Sequence, residues 1–369
     1  MKPPTSLIDP NELEIIPLER SETIPSRWYA DPAFHAFDLE AVFARTWQHI
    51  GPVSKLQNPG NQIVAQVGGN PIIALRDHDG TVRAFYNVCR HRGGPLATEE
   101  CTSKVLQCKY HGWTYLLDGS LRGTPKFNRT ELFDRKDYGL IPVRLDSWHN
   151  LLFVNLSDGG APFEALSGVV HERVGSDTLN SKKFFRRITY EVNANWKVYV
   201  DNYLEGYHLP YVHPELCNLL DYQNYTTETF EYCSLQHSPI QQQDNLYGSS
   251  DGPAFYFFIW PNFMLNILPG RMQTNVVHPL APNKCLVIFD YYYDEVDSPR
   301  FRAVAERDIE YSDHIQKEDA EICEHVQRGL ESKAYDKGRF SVECENGVHH
   351  FQSLLKQAYR EALGRQHSS

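Results

Sequence analysis

Cys89-Arg90-His91, followed after sixteen residues (92–107) by Cys108-Lys109-Tyr110-His111, decides how the N-terminal half of this chain is read. Each Cys-His pair runs into glycine, Gly93-Gly94 in the first and Gly112 in the second. Two thiolates on one iron and two imidazoles on the other are what a mixed-ligand 2Fe–2S cluster requires. Replacing two thiolates by neutral imidazoles makes such a cluster less negative, raises its potential and leaves a titratable nitrogen facing outward. Glycine suits the neighbouring loop, because backbone N–H groups must approach cluster sulfurs with no side chain in the way. Cys2His2 also suits structural zinc, although zinc fingers usually show two close cysteines and then two close histidines, not two mixed pairs.

A second constellation lies downstream, in Asn195-Trp196-Lys197-Val198-Tyr199-Val200-Asp201-Asn202-Tyr203-Leu204-Glu205-Gly206-Tyr207-His208-Leu209-Pro210-Tyr211-Val212-His213. Two histidines and a later carboxylate make the facial triad that holds ferrous iron with positions open for dioxygen and substrate. On an ideal helix, at about 100° per residue, His208 and His213 point roughly 140° apart. Pro210 between them cannot donate to the Gly206 carbonyl, which predicts a bend or end that swings His213 back toward His208. The third ligand is sought in a helical segment, 313–330, whose apolar positions Ile315, Ile322, Cys323, Val326 and Leu330 form one face. Asp319 falls in the middle of that face, where an ionised carboxylate is costly without a cation. Pairing with a buried arginine or capping a helix end is the structural alternative. Glu318, Glu321 and Glu324 fall off the face and read as solvated.

Together these motifs resemble the Rieske non-haem iron oxygenases, in their terminal oxygenase (alpha-subunit-like) component, over nearly the whole chain. The resemblance implies a 2Fe–2S Rieske cluster on Cys89, His91, Cys108 and His111, and mononuclear Fe(II) on His208, His213 and Asp319. It also implies that the acid at position 205 bridges an iron histidine to a cluster histidine of a neighbouring subunit, here from His111 through Glu205 to His208. Glu205 lies within one turn of His208, while Asp201, seven residues before it, is the competing candidate on nearly the same stripe. Asn202 joins them as a catalytic candidate. Electrons are expected from NAD(P)H through a separate flavin- or ferredoxin-type reductase, and a homo-oligomer, a trimer or a multiple of one, is expected.

The implied fold is α+β: an all-β Rieske 2Fe–2S domain plus a helix-grip (START-like) antiparallel-sheet catalytic domain. Short alternating runs at 62–67, 71–76, 82–87 and 151–155, punctuated by Asp79-Gly80 and Asp118-Gly119, predict the first. Strands at 184–192, 255–259, 273–278 and 285–293, with helices near 194–209, 299–330 and 349–363, predict the second. The expected division is 1–44 as an N-terminal segment packing on the catalytic domain, 45–157 as the Rieske domain and 158–369 as the catalytic domain. The boundary falls in Ser157–Ala165, with Gly159-Gly160 and Pro162.

Composition agrees with a metalloenzyme. With 369 residues, the chain is long enough for two substantial cores. Its 36 basic and 47 acidic residues give a net charge of −11, no footprint for nucleic acid or an anionic membrane. Residues 1–25 lack the apolar core of a signal peptide, so a cytoplasmic location is expected. The apolar run 255–268 contains Pro261, Asn262 and Asn266 and reads as buried strands around a turn rather than a membrane span. Six cysteines outside the cluster lack framework spacing and read as reduced thiols, which makes the sequons at Asn128 and Asn224 coincidental.

The substrate is argued from aromatic density. Tyr203, Phe257, Trp260, Tyr291 and Tyr293 are candidates for a cage around a quaternary ammonium, although strand alternation turns only about half of the aromatic run to one pocket; ordinary aromatic core is the alternative. Within the family, the C-terminal half resembles choline monooxygenases, on Phe255-Tyr256, Pro261-Asn262-Phe263, Asp290-Tyr291-Tyr292, Gln327-Arg328-Gly329-Leu330-Glu331-Ser332 and Gly347-Val348-His349-His350-Phe351. That implies hydroxylation of choline to betaine aldehyde hydrate and a place in glycine betaine biosynthesis. This chain has Pro214-Glu215-Leu216 where the plant enzymes place aromatics, and Arg271 where an aromatic is expected. A cation there repels choline and suits a carboxylate-bearing betaine. Glycine betaine, carnitine or an aromatic acid is therefore the alternative substrate, and a Rieske electron carrier without catalysis is the alternative of another class.

Overall fold

In the computed structural model, which describes residues 8–159, 162–240 and 253–366, the chain divides into two compact units. One is Phe43–Glu164; the other joins Met1–Val42 to Ala165–Ser369. Gly160, inside the expected boundary, lies outside the described residues.

The Phe43–Glu164 unit is built from short strands: β1 Gln48–Pro52, β2 Asn61–Val67, β3 Asn70–Arg76, β4 Val82–Tyr86, β5 Cys101–Thr102, β6 Leu106–Gln107, β7 Thr114–Tyr115, β8 Leu121–Gly123, β9 Pro142–Trp148 and β10 Leu151–Asn155. Seven form an antiparallel sheet in the order β1-β10-β9-β4-β3-β2-β5, and β6-β7-β8 form a separate meander. The two Asp-Gly turns join β3 to β4 and β7 to β8, with Gly80 at φ 86° and Gly119 at φ 88°, conformations that glycine alone adopts cheaply. A Cβ on Gly119 would also lie 2.5 Å from the Phe85 ring. One buried cluster, including Ile73, Leu75, Phe85, Trp113, Tyr115 and Leu117, takes in Cys89 and Cys108. Both cysteines are thus held on core rather than on loop alone.

The second unit carries a seven-stranded antiparallel sheet of β11 Lys183–Val192, β12 Thr226–Thr229, β13 Cys233–Pro239, β14 Pro253–Ile259, β15 Phe263–Leu268, β16 Arg271–Ala281 and β17 Lys284–Tyr293. Its order is β11-β17-β16-β15-β14-β13-β12, so six strands run as consecutive neighbours and β11 closes onto the last. Helices Trp196–Tyr203 and Pro299–Leu330 pack on each other, the shorter against β16 and β17 and the longer against β11. In the same unit the Trp28, Phe34 and Phe37 rings pack, tilted, against Tyr359 of the Asn346–Gln366 helix at ring distances of 4.9, 6.2 and 4.8 Å.

Two expectations for the helices need correction. The helix expected over 194–209 stops at Tyr203, with Leu204 as its C-cap, and a separate turn of helix runs Leu209–Val212. Pro210 therefore opens a helix instead of breaking one; in a first turn its missing N–H costs nothing. The 313–330 segment also buries a different stripe from the apolar one: Gln316, Cys323 and Gln327 are buried while Val326 is 45 % exposed. Polar bonds set that rotation. Tyr199 Oη donates to Gln316 Oε1, and the Asn195 backbone N–H donates to Gln327 Oε1 over 2.9 Å.

Candidate active site

In the Phe43–Glu164 unit the two Cys-His pairs form matching loops. Gly93 N–H donates to the Cys89 carbonyl over 3.0 Å and Gly112 N–H to the Cys108 carbonyl over 2.9 Å. Each loop turns on a left-handed glycine, φ 73° at Gly93 and 75° at Gly112. Both sulfurs are buried, and the His91 and His111 rings lie 4.7 Å apart. A Cβ on Gly94 would sit 2.8 Å from Cys108 Sγ, so the sulfur has a close approach to backbone that any other residue would block. Arg90 N–H donates to Tyr115 Oη over 2.9 Å, which leaves the hydroxyl hydrogen for Cys89 Sγ at 3.3 Å. Burial pushes the Cys89 thiol pKa up, opposed by Tyr115.

These residues fit a 2Fe–2S cluster. His91 Nδ1 is buried without a hydrogen-bond partner among the described residues, as a nitrogen meant for a metal is.

In the other unit His208, His213 and Asp319 converge, with one donor atom of each within 4.8 Å of the others, although Asp319 lies more than a hundred positions from the two histidines. His213 Nε2 is 2.9 Å and His208 Nε2 3.7 Å from Asp319 Oδ1. The chain brings them together by ending one helix at Tyr203 and starting the next at Leu209, with His208 as N-cap and His213 as C-cap. Gly206 is needed in the connection, because a Cβ there would lie 2.7 Å from the Tyr225 ring. Each imidazole has a glutamate behind it. Glu205 Oε1 is 2.7 Å from His208 Nδ1, and Glu205 Oε2 accepts the N–H groups of Tyr207 and His208. Glu318 Oε2 is 2.7 Å from His213 Nδ1, which corrects its reading as a merely solvated acid. Such carboxylates fix the Nδ1–H tautomer and leave Nε2 for a metal. Burial opposes protonation of His213, but its bonds to Asp319 and Glu318 prevail and raise its pKa.

Asn202 Nδ2 donates to Asp319 Oδ1 over 2.7 Å. Asp201 points elsewhere: it accepts from Tyr29 Oη at 2.6 Å and Gln352 Nε2 at 3.3 Å. Burial drives its pKa up to about 7, against those bonds.

The triad opens onto a cavity of about 130 Å³. Its aromatic wall is Tyr199, Tyr203, Tyr225, Tyr256, Phe289 and Tyr311. Of the sequence candidates, Tyr203 and Arg271 line it; Phe257, Trp260, Tyr291 and Tyr293 do not. Alternation along β14 turns Tyr256 to the cavity and Phe257 away, and Trp260 packs on Phe351 at 5.7 Å. Tyr291 and Tyr293 stand behind, donating to Ser312 Oγ at 3.0 Å and Asp308 Oδ2 at 2.6 Å. The stripe Ser312, Ile315, Gln316, Asp319 at helical spacing was the signal in the sequence for the cavity's second wall; nothing local marked Tyr225.

A family model for the Rieske [2Fe-2S] domain matches residues 46–136, and one for the ring hydroxylating alpha subunit (catalytic domain) matches residues 179–361. The chain is 37% identical to a chloroplastic choline monooxygenase of Arabidopsis thaliana, across 92% of this chain and 83% of that one. It is 31% identical to a carnitine monooxygenase oxygenase subunit of Escherichia coli (strain K12), across 92% and 94%. A solved quaternary ammonium Rieske monooxygenase in complex with L-carnitine superposes with a TM-score of 0.82 at 28% identity, covering 94% of this chain and 99% of that one.

Proposed function

Since the chain belongs to the Rieske non-haem iron oxygenases, as an oxygenase alpha subunit, we propose that it hydroxylates a small quaternary ammonium compound, choline foremost. Choline, dioxygen, two electrons and two protons would give betaine aldehyde hydrate and water, a step toward glycine betaine. The observation that carries this reading is an iron-type triad opening onto a cavity walled by six aromatic rings. Rings in a desolvated wall attract a trimethylammonium group through their negative faces. The choline and carnitine monooxygenases among the relatives support the same substrate class.

His208, His213 and Asp319 are the residues that would hold ferrous iron, and Cys89, His91, Cys108 and His111 those that would hold the cluster. When bound, the two centres supply dioxygen activation and the electrons for it. The chain's own part is to position and to exclude. Asn202 orients the Asp319 carboxylate, Glu205 and Glu318 keep the Nδ1 protons of the two imidazoles in place, and the tyrosine wall displaces water from the ammonium.

The same reading includes Glu205 as the link to a neighbouring subunit's cluster in a homotrimer or a multiple of it. It includes a separate flavin- or ferredoxin-type reductase drawing on NAD(P)H. Cytoplasmic placement rests on reading the six cysteines outside the cluster as reduced thiols; among the described residues no helix is long and apolar enough to cross a membrane. Cell fractionation is the check, since the plant relatives are named as chloroplastic.

The function is tested by oxygen uptake coupled to product formation, with reductase supplied, across choline, glycine betaine, carnitine and benzoate. Coupled turnover of choline is expected. Turnover of benzoate with no response to any quaternary ammonium would replace this reading with an aromatic-acid oxygenase, and cluster reduction without any coupled substrate would reduce the chain to an electron carrier.

A further inference from the structure

Among the described residues, Arg271 is the only lysine or arginine lining the cavity. It belongs to β16, and with Gln273 and Asn275 it shares the strand face turned to that cavity. Its Nη1 donates to Asp308 Oδ1 over 2.8 Å and its Nη2 to Gln273 Oε1; Gln273 in turn donates to Asn275 Oδ1 over 2.6 Å. Asp308 does not line the cavity. It stands behind Arg271 on the long helix, eleven residues before Asp319 and so about 16 Å along the axis from it, and its other oxygen accepts from Tyr293 Oη at 2.6 Å. Arginine and aspartate are 6% and 2% exposed, so water screens this pair little. The far wall of the cavity therefore presents a guanidinium whose charge is cancelled from behind. Tyr256, on the cavity surface, feels both members: burial raises its pKa to about 12, with Arg271 lowering it and Asp308 raising it.

We propose that Asp308 sets the substrate class by acting through Arg271: the neutralised pair admits an ammonium whose other end is a hydroxyl and gives no advantage to one whose other end is a carboxylate. This deepens the quaternary ammonium reading and rests on it. A zwitterionic betaine would have to compete with Asp308 for the guanidinium, whereas choline meets a guanidinium already offset by that carboxylate. Removing the aspartate charge would reverse that order. A guanidinium no longer offset by Asp308 repels a cation and attracts a carboxylate, and at low effective dielectric over several ångströms the effect on each ligand is about tenfold. Asp308 is thus a positioning and charge-balancing residue, distinct from the rings that touch the ammonium.

The experiment is anaerobic calorimetric binding of choline, glycine betaine and the uncharged tert-butyl isostere of choline to the holoenzyme. In Asp308→Asn, the choline Kd is expected to rise about tenfold and the glycine betaine Kd to fall about tenfold, with the isostere within about twofold of the parent. A merely structural loss weakens all three together. Arg271→Gln, which leaves the aspartate charge, is expected to give the mirror image, tighter choline and weaker betaine, and serves if Asp308→Asn does not fold. The double variant should return the parental preference. Parallel shifts of choline and betaine, or none, in the folded variants would overturn the role of Asp308 while the substrate class stands. Failure of the parent to bind either ammonium compound would overturn the substrate reading and this inference with it.

Discussion

Replacing Glu318 is expected to weaken mononuclear iron binding without touching an iron ligand. Its Oε2 lies 2.7 Å from His213 Nδ1, with the glutamate side chain 30% and the histidine 1% exposed. A hydrogen bond to a charged acceptor contributes about 1.5–3 kcal/mol, against about 0.5–1.5 for a neutral pair. Glu318→Gln keeps an acceptor in reach but forfeits the charge, a loss of about 1 kcal/mol after allowing for the exposed side, or roughly fivefold in iron affinity. Glu318→Ala removes the anchor and frees the ring, which should cost about 10–100-fold, the usual range for outer partners of metal-bound histidine. Glu321, exposed on the same helix, is the matched control, and its alanine variant should bind iron as the parent does. The assay is anaerobic competition for Fe(II) with a chelator, the cluster absorbance serving as an internal standard for folded protein. If Glu318→Ala holds iron as tightly as the parent, the contact is incidental and His213 is oriented by the backbone alone.

Three further outcomes are expected. His208→Ala, His213→Ala and Asp319→Ala should each lose mononuclear iron and keep the cluster's visible spectrum, because the two ligand sets lie in separate units; full iron content in all three would remove the triad. Glu205→Gln should retain both metals yet turn over at least about tenfold more slowly, read as single-turnover reoxidation; a parental rate would move the link to another residue. For Asp201, whose folded pKa is raised from 3.8 to about 7 by burial, the folded state keeps a proton that the unfolded state has lost between those values. Stability should therefore fall as pH rises through roughly 4 to 7 and level off above. Asp201→Asn should flatten that fall, so its gain in Tm over the parent grows across the same window; an unchanged pH profile would show that Asp201 ionises freely.

How much of this was legible in the sequence follows from which contacts are local. The residues proposed for the cluster, and the histidines proposed for iron, sit in short motifs whose chemistry needs those residue types at that spacing, so Cys89, His91, Cys108, His111, His208 and His213 could be nominated without a fold. Asp319, which the structure brings against the two histidines, could be nominated because a charge in the middle of an apolar helical face demands a cation. The same periodicity then failed for Glu318, because an apolar stripe identifies what faces hydrocarbon, while the actual orientation of that helix is fixed by Tyr199 on Gln316 and Asn195 on Gln327. Those are bonds between residues over a hundred positions apart, and no local pattern encodes them. A break between His208 and His213 was expected from Pro210, yet it is made before His208, at Leu204–Gly206, where Gly206 must clear Tyr225, again a distant partner. The pocket shows the limit most clearly. Density of aromatics located the strands, and alternation ruled out half of them, but which half depends on the face β14 and β17 turn to the long helix. Phe257 and Tyr256 are neighbours with opposite fates for that reason alone. Arg271 looked like an unbalanced cation because its counter-charge, Asp308, is 37 residues away and never touches the cavity. A pocket's charge belongs to the packed wall behind its lining, so the residue that discriminates substrates here is one that a reading of lining residues alone would pass over.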